Sequence, residues 1–211
     1  MQWPDLLRLV GAEPVFSSAL LLAGPTSVPR VRLQLSRWVR AGRLLQLRRG
    51  VYALAQPWRK IDPHPFTVAN ALQRGSYVSL QAALSFHGVI PEHAPVVTSI
   101  GPGRPETIRT ALGGFQFNHM AAPLLYGYAL IEVASGQRAF VASPEKALLD
   151  LVYLTPGGDD PAFLEALRLQ QSDAIDATTL VALAERSGKP RLRRAAVRTL
   201  ELLQNDTGVR L

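Results

Sequence analysis

Seven arginines fall between Arg30 and Arg49, in the stretch RVRLQLSRWVRAGRLLQLRR. A guanidinium stays charged at any physiological pH and presents a planar fork of donors that fits phosphate, so their placement decides what they do. Laid out at 100° per residue, Val31, Leu35, Trp38 and Val39 share one stripe of a helix, and Arg30, Gln34, Arg37 and Arg40 fall on the other side. One side would dock on the protein and the other would meet an anion. After Gly42 the pattern LLQLRRGVYAL turns to short-range alternation, with Arg48, Arg49 and Gly50 at its turn. A helix whose arginines face the major groove, followed by a hairpin with Arg48 and Arg49 beside phosphates, is the chemistry of double-stranded DNA recognition.

Other reactive groups are weaker candidates. Of the four histidines, only His87 and His93 are close, and their six-residue spacing across GVIPE matches neither a helical pair nor a zinc-finger pair. Ser79 and Ser85 lie near His87 without a nucleophile-elbow pattern. The loop GPGRPE, Gly101 to Glu106, lacks the Gly-Lys-Ser/Thr ending of a phosphate loop, and Pro102 and Pro105 favour a turn. Glu145, Lys146 and Asp150 form the most enzyme-like cluster, but Lys146 and Asp150 at i, i+4 suffice as a helical ion pair, contributing about 0.3 to 0.5 kcal/mol if exposed. The reading is therefore of no catalytic residue, no metal and no cofactor.

The elements that would position the arginines are marked by their ends. PDLLRLVG has Pro4 at a first helical position and Gly11 beyond the end, and FSSALLLAG offers Ser17 or Ser18 as a cap and Gly24 as a terminator. Ser27 and Pro29 open the arginine-bearing helix, which runs to Gly42. Three helices and a hairpin give a winged helix-turn-helix over residues 1–60. ALAQPWRKIDPHPF reads as a linker near residues 55–64, and residues 61–211 read as a mixed α/β domain. Within it FTVANALQRG and LQAALSFHG read as helices. VVTSIG, GFQFNHM and GYALIEVASGQRAFVAS read as strands, and SPEKALLDLVYL is a helix capped by Ser143. The rest is helical, with breaks at Ser172 to Asp176 and Ser187 to Pro190, and closes on a helix from Pro190 bearing Arg191, Arg194 and Arg198. The fold class is α+β.

Charge follows the same division. Residues 1–60 hold 10 of the 23 Lys and Arg but 2 of the 16 Asp and Glu, residues 61–185 hold 6 and 12, and residues 186–211 hold 7 and 2. A basic head on a mildly acidic body is the footprint of a polyanion-binding module. With no cysteine, disulfides and thiolate zinc sites are excluded. No run of about 18 apolar residues and no basic-then-apolar leader occurs, so the expectation is a cytoplasmic protein without membrane contact.

Three stretches together resemble the AbiEi antitoxins of type IV toxin–antitoxin and phage-abortive-infection systems: RRGVYAL closing the winged helix, SYVSLQAALSFHGVIPE at Ser76 to Glu92, and SPEKALLDLVYL at Ser143 to Leu154. Arg49, Gly50 and Tyr52 match the wing motif. The resemblance implies an amino-terminal winged helix that represses its operon by binding inverted repeats in its own promoter. It also implies a second domain that counters a nucleotidyltransferase-like toxin. The residues leave open a second class, an enzyme acting on nucleic acid that uses the winged helix for targeting; the regulator is the preferred reading.

Overall fold

The computed structural model describes residues 1–22, 27–92, 94–170 and 174–208, with no account of side chains beyond Gln204. Helix α1, Trp3–Val10, starts on a reciprocal cap in which the Gln2 N–H donates to Asp5 Oδ2 (2.9 Å). The expected second helix is instead a two-residue strand β1, Phe16–Ser17, and a 3-10 turn, Ser18–Leu22. Ser17 does not cap an α-helix; its Oγ accepts the Ala19 N–H two residues on (3.2 Å), which tightens the turn. Gly24 lies outside the described residues.

Helix α2, Val28–Arg40, follows Ser27, which caps through its backbone carbonyl on Val31 N (3.1 Å), its hydroxyl making no cap bond. The helix ends on Gly42 at φ +67, where Gly42 N donates to Val39 O (3.0 Å) and Arg43 N to Trp38 O (2.9 Å). This pair of bonds satisfies the last carbonyls only if the glycine is left-handed. Strands β2, Leu44–Arg48, and β3, Val51–Leu54, form the hairpin, and β1 pairs with β3 to complete a three-stranded sheet in the order β1-β3-β2.

Two apolar cores result. The smaller gathers Leu6, Val10, Phe16, Leu21, Val31, Leu35, Trp38, Leu44, Tyr52 and Leu54. The larger runs from the second half of the chain back into the hairpin, taking Leu47 and Ala53, with Val51 packed against it. Strand β3 therefore sends Tyr52 and Leu54 to one core and Val51 and Ala53 to the other. A strand buried on both faces reads as the continuous apolar run VYAL.

The segment expected as a linker is tied at both ends. Trp58 packs edge-on to Trp3 (centroids 5.5 Å), while the Asp62 carbonyl accepts from Gln137 Nε2 (3.0 Å) and the His64 N–H donates to Gln137 Oε1 (2.8 Å).

Beyond it lie α3, Pro65–Leu72; β4, Tyr77–Val78; α4, Leu80–Phe86; β5, Val96–Gly101; β6, Glu106–Thr110; β7, Gly113–His119; β8, Tyr128–Ala134; β9, Gln137–Ala142; and α5, Pro144–Leu154. The six strands order as β6-β7-β5-β4-β9-β8, parallel at β5/β7 and β4/β9 and antiparallel elsewhere. Helices α3 and α4 pack on this sheet, and α5 packs on α4. Outside α5 come α7, Ala177–Arg186, and α8, Pro190–Gly208, with α6, Pro161–Ala166, against α8. Of the break expected at Ser172 to Asp176, Ser172 and Asp173 lie outside the described residues.

Candidate nucleic-acid interface

Helix α2 is seated by Val31, Leu35 and Trp38, all under 5% exposed, with Trp38 edge-on to Trp3 (5.2 Å) and Val39 half-buried. Its outer face carries exposed Arg30, Arg37 and Arg40. Gln34 is half-buried, because it sits on the flank of the buried stripe rather than opposite it. Sequence reasoning passed over three exposed residues here: Arg32, Leu33 (54% exposed) and Ser36. The signal was the same helical wheel, on which Leu33 and Arg40 fall opposite Leu35. A solvent-facing leucine flanked by arginines suits a groove that offers both thymine methyls and acceptor edges. Among the described residues, no carboxylate pairs with Arg30, Arg32, Arg37 or Arg40.

The two hairpin arginines part company. Arg49 is exposed at the turn, beside Gly50 at φ +84, whose carbonyl accepts the Ser18 N–H (2.8 Å). Arg48 instead reaches the larger unit: its Nη1 donates to Glu106 Oε1 (2.7 Å) and to the Leu72 carbonyl (3.0 Å). Arg43 is also occupied, its guanidinium over the Trp3 and Trp58 rings at 5.3 and 5.8 Å.

The remaining candidates resolve into structural roles. His64 Nδ1 accepts from Phe66 N (3.2 Å), and burial pushes the pKa of this histidine down. His87 Nε2 lies 2.8 Å from the Ala142 carbonyl, and His119 Nδ1 lies 3.2 and 3.1 Å from the carbonyls of Pro102 and Gly103. Carbonyls only accept, so these nitrogens carry the protons. His93 lies outside the described residues.

Glu145, Lys146 and Asp150 are 5, 3 and 1% exposed, so the expected i, i+4 ion pair forms and is buried. Lys146 Nζ bonds Asp150 Oδ1 and the Leu124 carbonyl (2.9 Å), and it sits over the Tyr126 ring (4.7 Å). Tyr77 and Ser79 donate their hydroxyls to Asp150 Oδ2 (2.9 and 2.8 Å). Burial pushes the Asp150 carboxyl up, against the pull of Lys146 and the two hydroxyls, and burial also raises Tyr77, keeping its phenol a neutral donor. Glu145 Oε1 accepts the Asp176 N–H (2.9 Å), bracing the start of α7.

The basic tail meets an internal anion. Arg191 Nε and Arg194 Nη2 pair with the two oxygens of Asp159 (3.0 and 2.9 Å), and Arg198 bonds the Asp159 carbonyl. The Arg194 hydrogen bond holds the Asp159 carboxyl below the usual range. Leu192, Ala195 and Ala196 face the core, so α8 is a docked helix, with Arg191, Arg194 and Arg198 drawn to the Asp159 loop and Arg193 paired with Glu185 of α7 (2.9 Å).

Helix, turn, helix and a three-stranded wing define a winged helix-turn-helix module, the class of domain that sets one helix in a DNA groove. Residues 15–55 match the family model described as "Transcriptional regulator, AbiEi antitoxin", so this amino-terminal segment is similar to the corresponding part of those regulators. A comparison with curated proteins finds no match. Among solved structures, the RV2827C protein from Mycobacterium tuberculosis is similar over 96% of this chain and 82% of its own, at 16% identity and a TM-score of 0.51, a likeness of fold. No helix among the described residues is long and apolar enough to cross a membrane.

Proposed function

We propose that residues 1–60 bind double-stranded DNA at inverted repeats in the protein's own promoter, repressing it. In this reading residues 61–211 counter a nucleotidyltransferase-like toxin in the cytoplasm, without catalysis of their own. The observation that carries the DNA reading is the outer face of α2, where Arg30, Arg32, Arg37 and Arg40 are exposed and have no carboxylate partner among the described residues. Four like charges on one helix repel each other unless an anion is present. In this arrangement Arg37 and Arg40, with Leu33 between them, reach base edges, Gln34 flanks them, and Arg49 touches phosphate from the wing. Arg48 reaches DNA only beside its bond to Glu106.

Anisotropy of a labelled promoter duplex against the full chain tests this. Arg37→Ala with Arg40→Ala should lose about 1 to 3 kcal/mol of discrimination per base contact between promoter and unrelated DNA, whereas Arg49→Ala should weaken both alike. Equal losses on every sequence from both variants would remove base reading from α2.

The antitoxin reading rests on the described family and on the size of the second unit, far beyond what blocking a promoter needs. Co-expression of the full chain with a nucleotidyltransferase-like toxin, sought in the neighbouring reading frame, should restore growth, and Arg37→Ala/Arg40→Ala should restore it equally well when expressed from an independent promoter. Rescue that disappears with this DNA-face variant would make neutralisation a by-product of repression.

A further inference from the structure

The wing does not end at its turn. Where β2 finishes, a concavity of about 630 Å³ opens between the hairpin and the larger unit, lined by Arg48, Leu72, Gln73, Arg74, Gly103 and Arg104 among others. Three arginines therefore line it from three separate segments: the end of β2, the turn after α3 and the loop between β5 and β6. They meet one carboxylate, Glu106, which holds Arg48. Arg74 and Arg104 are exposed and pair with no carboxylate among the described residues.

The loop that carries Arg104 is fixed from behind. Met120 N donates to the Gly101 carbonyl (3.0 Å), and the His119 ring holds the carbonyls of Pro102 and Gly103. A Cβ on Gly103 would stand 2.5 Å from Gln73 Nε2, so a larger residue there would push the Gln73 side chain aside. Gln73 itself is incompletely bonded: its Nε2 is 3.4 Å from the Arg104 carbonyl and 3.5 Å from Glu106 Oε1, and its buried Oε1 has no partner. Two acceptors therefore hold the amide nitrogen on the Arg104 and Glu106 side, so Gln73 supports the loop and the carboxylate, and the arginines alone offer donors to an anion. A cationic concavity whose loop is held from behind is organised for an oxyanion before one arrives.

We propose that this junction is a second DNA-backbone site, in which Arg74 and Arg104 of the larger unit, with Arg48 of the wing, hold a phosphodiester next to the one met by Arg49, and in which Glu106 restrains Arg48 until that phosphate displaces it. The proposal rests on the DNA reading above. Continuity favours DNA over a free anion, because Arg48 and Arg49 are consecutive and a strand leaving the wing turn passes the mouth of the concavity. Glu106 acts as an internal competitor: it neutralises Arg48 in the free protein and repels a phosphate that approaches in the wrong place, which raises selectivity at a cost in affinity.

The test is the salt dependence of duplex binding by the full chain, read by anisotropy. Each lost phosphate contact lowers the slope of log K against log salt by about 0.9, so Arg74→Ala/Arg104→Ala should reduce it by about 1 to 2 and weaken promoter and unrelated DNA alike by about 10- to 100-fold at 0.1 M salt. Both side chains are exposed and unpaired, and an unchanged thermal melt checks that the variant is folded. Glu106→Gln should tighten binding several-fold, about 3- to 10-fold, by freeing Arg48 and removing a like charge from the site. An unchanged slope in the double variant overturns the site, and weaker binding by Glu106→Gln overturns the competitor role. Calorimetry with inorganic phosphate separates the sources: sub-millimolar binding that the double variant loses, with its DNA slope intact, would make this a small-anion site and overturn the DNA assignment. Failure of the unaltered protein to bind any duplex would instead sink the DNA reading itself.

Discussion

Asp150→Ala should destabilise the protein by about 3 to 5 kcal/mol, the usual cost of leaving one partner of a buried ion pair alone. The substitution strands the Lys146 ammonium at 3% exposure with the Leu124 carbonyl and the Tyr126 ring as its remaining partners, and it takes the acceptor from the hydroxyls of Tyr77 and Ser79. The four groups come from β4, the start of α4 and α5, so the loss falls where the sheet meets its helices. Lys146→Met combined with Asp150→Asn tests the cause, since it removes both charges and keeps one amide oxygen for the hydroxyls. Denaturant titration should find the double variant close to the unaltered protein and far above either single charge deletion. The pH response has a definite sign. A carboxyl whose folded pKa is raised costs nothing below its unfolded value of 3.8 and subtracts stability as pH climbs from there through the folded pKa. The double variant should therefore gain on the unaltered protein as pH rises from 3.8. If Asp150→Ala costs less than about 1 kcal/mol, the pair is better hydrated than its burial implies.

That cluster also shows where sequence reading stopped short. Lys146 and Asp150 at i, i+4 look the same on a surface helix and on a central one. The discriminating signal lay in their neighbours: Ala147, Leu148, Leu149, Leu151 and Val152 cover one side of the helical wheel, Tyr153 and Leu154 flank the two charges on the other, and every residue from Glu145 to Val152 is buried. A helix apolar on all sides belongs inside, and its charges must go with it. Leu80 is a different case. It holds φ +58, a left-handed conformation that costs a leucine about 1 to 2 kcal/mol, directly after Ser79 and within a run of residues with ordinary helix preference. Its reasons are tertiary: Asp150 holds the Ser79 hydroxyl, Thr98 bonds the Ser79 backbone and the Ala82 N–H, and Leu80 is buried. The α2 stripe, the Gly42 terminator and the Ser143 cap were legible because each depends on residues within one or two turns. The Arg48 to Glu106 bond spans 58 positions, the β1 pairing rests on two residues, and β6 carries the polar alternation of an edge strand; none leaves a local trace.

Leu35→Ala should cost about 2 to 5 kcal/mol and abolish DNA binding together with it, because Leu35 is the fully buried anchor at the centre of α2. The smaller core around it has ten buried apolar residues among those described, too few to absorb a cavity by repacking without moving the helix. The chain supplies its own reporter. All three tryptophans, Trp3, Trp38 and Trp58, form one contiguous set in the amino-terminal unit, so intrinsic fluorescence follows that unit while far-ultraviolet circular dichroism follows every helix in the chain. Hairpin β2–β3 is shared: Tyr52 and Leu54 belong to the smaller core, Leu47 and Ala53 to the larger, and Arg48 is bonded to Glu106 across the junction. Melting one core strips a face from the strand that closes the other. The two signals should accordingly move to lower denaturant together in Leu35→Ala, with coincident midpoints. A fluorescence transition well ahead of the dichroism transition would mean that the shared hairpin does not couple the units. A shift below about 1 kcal/mol would mean that α2 is held by its ends, through Trp38 and the Ser27 turn, rather than by its centre.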